Sequence, residues 1–212
     1  MLFKDRTDAG KKLADELLEY ENIPDGLVIG LPRGGVVLAV EVAKRLKLPL
    51  DVVCPRKIGA PFNPEYAIGA ITETGEGIFN EEAISYLDIS EEHVKETVER
   101  EKQQAKRRLE LFRKGRPPRD FQDKVVIIVD DGIATGSTMK AAIKSIQSEG
   151  AQKIVCAVPV SPPDTHNEIS SMVDHMVCLH TPRSFQAVGQ FFEDFRPTED
   201  EDVADIMLSY QT

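Results

Sequence analysis

The sequence predicts an α/β fold in which a central parallel sheet is flanked by helices, with a small C-terminal hood and a helical insert. Two observations predict it. Short apolar runs alternate with amphipathic stretches along the whole chain, the pattern of strands joined by crossover helices. Two of those runs end in loops of glycine and small polar residues that open straight into a helix. With 212 residues the chain is long enough for one domain with a proper core, and we read it as a single domain over 1–212. The insert falls at about 81–120 and the hood at about 181–212.

Residues 8–20 read as a helix with Leu13, Leu17 and Leu18 on one face. LVIGL (27–31) is a candidate buried strand, followed by a helix over 34–46 that Pro49 ends. LDVVC (50–54) is the second strand. PRKIGAPFNPE (55–65) holds three prolines and a glycine and is read as a loop. YAIGAIT and EGIFN flank Glu73-Thr74-Gly75 and predict a hairpin. Residues 90–114 predict a long polar helix with Val94, Val98, Ala105, Leu109 and Phe112 along one seam, and favourable pairs four apart at Glu91/Lys95 and Glu96/Arg100. Its basic second half reads as a solvated face. KVVIIV (124–129) is the central strand, with a helix over roughly 136–149 stopped by Gly150. KIVCAVPV (153–160) and VDHMVCL (173–179) are two more strands around a short helix. An aromatic-rich segment from Thr181 and a last helix at 199–209 close the chain.

Composition narrows the function. Net charge is −10, and after Lys153 the chain has two arginines against ten acidic residues, a surface that repels nucleic acid and anionic membranes. No apolar run approaches a membrane span, and the charged N-terminus lacks the apolar stretch of a signal peptide, so a cytoplasmic protein is expected. Cys54, Cys156 and Cys178 each sit in apolar, strand-like runs and read as small hydrophobes in a reduced compartment. His93, His166, His175 and His180 form no metal-binding pattern.

The stretch VVIIVDDGIATGST (125–138) carries the chemistry. Five apolar residues run into Asp130 and Asp131, two adjacent carboxylates at the carboxyl end of a strand, where open parallel sheets bind ligands. Burying such a pair costs several kcal/mol unless sugar hydroxyls or a cation such as Mg²⁺ compensate. Gly132 allows a sharp exit from the strand. Ala134, Thr135, Gly136, Ser137 and Thr138 then open a helix whose unpaired N–H groups and dipole suit an anion. Sugar-binding carboxylates four residues from a phosphate cradle fit one ligand, a phosphorylated sugar. An ordinary capped helix start explains the hydroxyls and not the paired acids. A phosphoacceptor receiver domain needs a lysine downstream, and no lysine follows Lys153. A dinucleotide fold needs GxGxxG after the first strand, which GLPRGG (30–35) does not supply.

VIIVDDGIATGST resembles the 5-phosphoribosyl-1-pyrophosphate (PRPP) motif of type I phosphoribosyltransferases, and the whole pattern is similar to an uncharacterised group of predicted members of that family. The resemblance covers about residues 27–180 and implies the type I phosphoribosyltransferase fold. Carried over, Asp130 and Asp131 hold the ribose and, mainly through water and PRPP, Mg²⁺. Residues 134–138 hold the 5′-phosphate. GLPRGG matches the pyrophosphate loop in position, which assigns Arg33, Gly34 and Gly35 to pyrophosphate. RKIGAP (56–61) is similar to the start of the family's flexible catalytic loop, which nominates Arg56 and Lys57, with Glu65 further along the same loop. SFQAVGQFFEDF (184–195) stands where the hood holds the acceptor base, with Phe185 to stack and Val188 to offer backbone groups. The 6-oxopurine enzymes carry an aspartate at the position of Ala134, which counts against their mechanism here.

The resemblance implies a Mg²⁺-dependent transfer of the 5-phosphoribosyl group from PRPP to a nitrogen acceptor, with Arg33, Lys57 and Asp131 as the catalytic candidates. It also implies small-molecule partners and a homodimer. Two other readings stay open: a PRPP sensor without catalysis, and a hydrolase that transfers the group to water.

Overall fold

The computed structural model of the chain describes residues 2–75, 77–117 and 119–210, without the side chains of Pro64 and Glu65. Five strands form the central sheet: β1 (Gly26–Gly30), β2 (Leu50–Val52), β6 (Val125–Val129), β7 (Lys153–Val160) and β8 (His175–His180). All neighbours pair in parallel, in the order β2-β1-β6-β7-β8. The order runs outward in opposite directions from the β1/β6 pair. That reversal is a topological switch point, and the carboxyl ends of β1 and β6 open side by side there.

Alternation along the strands supplies both faces. Val28, Ile127, Val129, Val155 and Ala157 point into one apolar cluster with α1 (Arg6–Asp15), α2 (Gly34–Leu46) and α7 (Asp200–Ser209). Leu27, Ile29, Val126, Ile128, Ile154 and Cys156 point into the other, against α5 (Ser137–Ser148) and α6 (Pro163–Ser170). Helix α1 lies on α2 with backbone almost in contact, because a β-carbon at Gly10 would stand 2.9 Å from Leu38 Cα.

The segment 55–65 departs from the expected loop. Arg56–Ala60 is strand β3 and Asn63–Ile71 is strand β4, which with β5 (Gly77–Phe79) make a separate antiparallel sheet in the order β3-β4-β5. Proline and glycine obscured the strands. The reason they form is that Ile58, Ala60, Ile68 and Ile71 share a small core of their own with Val94 and Val98. The expected hairpin is present, with Ile71 opposite Gly77 and Gly69 opposite Phe79.

The insert comprises α3 (Glu81–Tyr86) and α4 (Glu91–Phe112). Helix α4 joins the two cores: Val94 and Val98 pack on the small sheet, Ala105 and Phe112 on the main one. Its basic end is not simply a solvated face. Arg108 pairs with Asp200 at 3.1 Å and Arg113 with Asp51 at 2.7 Å, while Arg116 donates to the carbonyls of Leu50, Met207 and Tyr210. Lys95 pairs with Glu91 as the spacing predicts, but Arg100 pairs with Glu101, not Glu96.

Candidate active site

Two loops meet at the switch point. The loop after β1 turns into α2 at Arg33, Gly34 and Gly35, and the loop after β6 carries Asp130 to Thr138 into α5. Their contact is intimate. A β-carbon at Gly35 would stand 2.8 Å from Asp130 Cα and from the Val129 carbonyl oxygen. One at Gly34 would overlap the carboxylate of Asp131. A larger residue at Gly35 forces the two motifs apart, and one at Gly34 displaces the Asp131 carboxylate, so both glycines serve close approach.

The carboxylates are only partly exposed, the Asp131 side chain at 17%. Burial pushes the Asp130 carboxyl well above the usual range, and the charge of Asp131 adds to the push. Burial also raises Asp131, against the pull of Arg6. The two therefore resist being ionised together. Asp131 N–H donates to Asp130 Oδ1 at 2.8 Å.

Arg6 is the neighbour of Asp131 that the sequence does not announce. It is the first residue of α1, after an Asp5 N-cap, and lies 125 positions from its partner. Its Nε donates to Asp131 Oδ2 at 2.8 Å, its Nη1 donates to the Arg196 carbonyl at 2.7 Å, and its guanidinium lies 3.8 Å from the Phe195 ring centre. No short motif encodes a pair formed across 125 positions.

The loop expected to cradle a phosphate, Ala134 to Thr138, leads into α5. Gly136 caps α5 in the left-handed region (φ 78°) and no side chain caps the helix, so its first-turn N–H groups face outward without a side-chain acceptor. Thr135 and Ser137 hydroxyls lie 3.3 Å apart, and Thr165 of α6 holds the loop by donating to the Ala134 carbonyl at 2.9 Å. Thr138 is exposed beside them. Gly132 is left-handed too (φ 153°), and a β-carbon there would stand 2.6 Å from Val188 Cγ1. Val188 of the hood therefore reaches the loop. Phe185 is farther committed to packing, stacked on Phe191 at 5.6 Å, with Phe191 edge-on to His180.

The expected pyrophosphate cations are placed differently from the simple expectation. Arg33 stands beside Gly34 but turns to α7, 2.8 Å from Glu199 and 4.0 Å from Asp200. Arg56 lies on strand β3, not on a flexible loop, and donates through Nε and Nη2 to Glu101 of the insert at 3.0 and 2.8 Å. Lys57, next on the strand, is exposed on the opposite face. The Glu65 side chain lies outside the described residues. Among the described residues no group of three or more His, Cys, Asp or Glu is placed to hold a metal ion. Asp130 and Asp131, with Arg6 on one of them, do not suit a directly bound cation; a Mg²⁺ ion fits this donor set only through water and the phosphates of a ligand. No helix among those residues is long and apolar enough to cross a membrane.

A sequence model described as the phosphoribosyl transferase domain matches residues 3–195. A Mycobacterium tuberculosis (strain ATCC 25618 / H37Rv) protein named "Putative phosphoribosyl transferase" is 44% identical over 205 residues, 95% of this chain and 45% of its own length. The chain thus spans less than half the length of the curated relatives it matches. Among solved structures, the protein TT1426 from Thermus thermophilus is 40% identical with a TM-score of 0.84, over 100% of both chains. A purine phosphoribosyltransferase from Pyrococcus horikoshii Ot3 is 24% identical with a TM-score of 0.49, over 92% of this chain and 93% of its own.

Proposed function

Because the chain belongs to the phosphoribosyl transferase domain family, we propose that it moves the 5-phosphoribosyl group of PRPP to a nitrogen acceptor, releasing pyrophosphate. The observation that carries this reading is the meeting of both loops at the switch point: paired carboxylates, an uncapped helix start and a glycine-lined loop at one end of the sheet. In the proposed reaction the C1–O bond to pyrophosphate breaks, the electron pair leaves with pyrophosphate, a C1–N bond forms, and the acceptor gives up a proton. Asp131, with Asp130, accepts hydrogen bonds from the ribose hydroxyls and fixes C1 in place. The first-turn N–H groups of α5, with the hydroxyls of Thr135, Ser137 and Thr138, hold the 5′-phosphate. Arg33, on releasing Glu199, and Lys57 are proposed to neutralise the developing charge on the leaving group. Asp130 and Asp131 would hold a Mg²⁺ ion through water and the substrate, and such an ion would supply further charge neutralisation. Val188 and Phe185 border the acceptor's place, which is proposed to take a nucleobase. The working form is proposed to be a cytoplasmic homodimer; light scattering on the purified chain reports the oligomer.

A second reading is favoured by one observation. Arg33 and Arg56, both nominated from the sequence for PRPP, already hold carboxylates of α7 and α4. A PRPP-binding sensor would use the same cradle and let binding, not turnover, rearrange those helices.

The deciding experiment is pyrophosphate release from PRPP and Mg²⁺ against nucleobases and small amines, with Asp131→Asn as the site control. Release that requires one acceptor, and that Asp131→Asn abolishes, supports the transferase. Release without an acceptor marks a hydrolase. PRPP binding by calorimetry without release supports the sensor, and no binding overturns both readings.

A further inference from the structure

We propose that Arg6 is a positioning residue, which sets the Asp131 carboxylate for the ribose and ties the hood to that setting; the inference rests on the reading that Asp131 binds PRPP. Three directions fix the guanidinium. Nε donates to Asp131 Oδ2 at 2.8 Å, Nη1 donates to the Arg196 carbonyl at 2.7 Å, and Phe195 covers one face at 3.8 Å. The side chain is 12% exposed, too enclosed for an incidental surface pair. Its base is equally fixed: α1 begins at Arg6 and is locked backbone-to-backbone on α2 at Gly10, and α2 itself begins in the Arg33-Gly34-Gly35 loop. Gly34 leaves the space that Arg6 fills, since a β-carbon there would stand 2.6 Å from Arg6 Nε.

This arrangement does something that fold stability alone does not ask for. The Arg6 pair takes one oxygen of Asp131 and fixes the plane of its carboxylate, so Oδ1 keeps one direction for a sugar hydroxyl. The other half of the guanidinium is held by the hood, the segment bordering the acceptor's place. Phe3 adds a second tie: its N–H donates to Phe191 and its carbonyl accepts from Glu193. A displacement of the hood would thus reach the ribose carboxylate through Arg6.

The test titrates PRPP with Mg²⁺ by calorimetry into wild type, Arg6→Met, Arg6→Lys, Asp131→Asn and the Arg6→Met/Asp131→Asn double variant, each with a thermal melt. Arg6→Met is expected to weaken PRPP on the order of 10-fold or more, the scale of a lost charge-assisted hydrogen bond. Arg6→Lys is expected to fall between, and the double variant to bind no worse than Asp131→Asn alone. Wild-type affinity in Arg6→Met while Asp131→Asn is weak overturns the positioning role and leaves the PRPP reading standing. Additive losses in the double variant overturn it as well. Failure of the wild type itself to bind PRPP overturns the functional reading instead, and this role with it. Should Arg6→Met not fold, Arg6→Lys and Phe195→Leu carry the test: both must lose PRPP affinity at near-native melting temperature, and wild-type affinity in both refutes the role.

Discussion

Gly34 and Gly35 are adjacent, and one added methyl at each should have opposite consequences. Neither glycine sits in the left-handed region, so alanine is free to adopt the backbone at both. Alanine also gains ~0.5–1 kcal/mol in a helix relative to glycine. The difference lies in what the methyl meets. At Gly35 it meets Asp130 Cα and the Val129 carbonyl, both at 2.8 Å, and these are backbone atoms of the central strand and its exit. They cannot rotate away, so α2 must shift, at the ~1–3 kcal/mol typical of overpacking. The net loss of about 2 kcal/mol at the upper end lowers Tm by about 4–8 °C for a chain of this size. At Gly34 the methyl meets the Asp131 carboxylate and Arg6 Nε, which are side-chain atoms. They can part, at a net cost of ~1 kcal/mol for one hydrogen bond, which the helix gain largely offsets. Gly34→Ala should therefore melt within about 3 °C of wild type while PRPP affinity falls on the order of 10-fold. Circular dichroism melts and PRPP calorimetry on the two variants read both quantities. A lower Tm in Gly34→Ala than in Gly35→Ala, or wild-type PRPP affinity in Gly34→Ala, refutes the reasoning.

Three more outcomes are expected. Arg119 and Glu73 form a pair with side chains 7% and 6% exposed, and Glu73 also accepts from Cys54 N–H; Arg119→Met strands that carboxylate and should cost ~3–5 kcal/mol, with Arg119→Met/Glu73→Leu recovering most of the loss in a urea titration. The Arg33–Glu199 pair is exposed at 38% and 60%, so Glu199 competes only weakly for Arg33; Glu199→Gln should tighten PRPP by up to about 5-fold, and a weaker titration would show that Glu199 helps instead of competing. Burial raises all three thiols, Cys178 to about 11, and Cys54 and Cys156 further; native protein at pH 8 should resist iodoacetamide until urea is added, and fast labelling of any cysteine by mass spectrometry contradicts their packing.

The residues that sequence reading found are those whose chemistry is local. The apolar run into Asp130 and Asp131, then the small-residue helix start, needs only adjacent positions to be recognised, and the structure places all of it in one loop. Helix α2 spans the expected 34–46 because its apolar period is complete. The strand β3 was hidden for the opposite reason: Pro55, Gly59 and Pro61 read as breakers, while the force that extends the segment is burial of Ile58 and Ala60 under α4, more than thirty residues later. Arg6, Glu101 and Glu199 escaped for the same reason. Each meets its partner only after the sheet has assembled, across 125, 45 and 166 positions.

Those long-range pairs compose one circuit. Arg56 of the small sheet is held by Glu101 of α4; seven residues on, two turns along the same face, Arg108 holds Asp200 of α7; and Glu199 and Asp200 lie against Arg33. The matched family domain ends at residue 195, so the α7 carboxylates stand beyond it. Two cations nominated from the sequence for PRPP are thus joined through the insert and the last helix. Asp200 Oδ1 is buried without a hydrogen bond, 4.0 Å from Arg33, so the circuit is closed loosely at this point. An arriving pyrophosphate outcompetes carboxylates most easily where the pair is exposed, at Arg33, and least easily at Arg56, whose partner Glu101 is 12% exposed. Arg33 should therefore exchange its partner first, with Arg56 remaining on the insert, and the leaving group would be met from the α2 side.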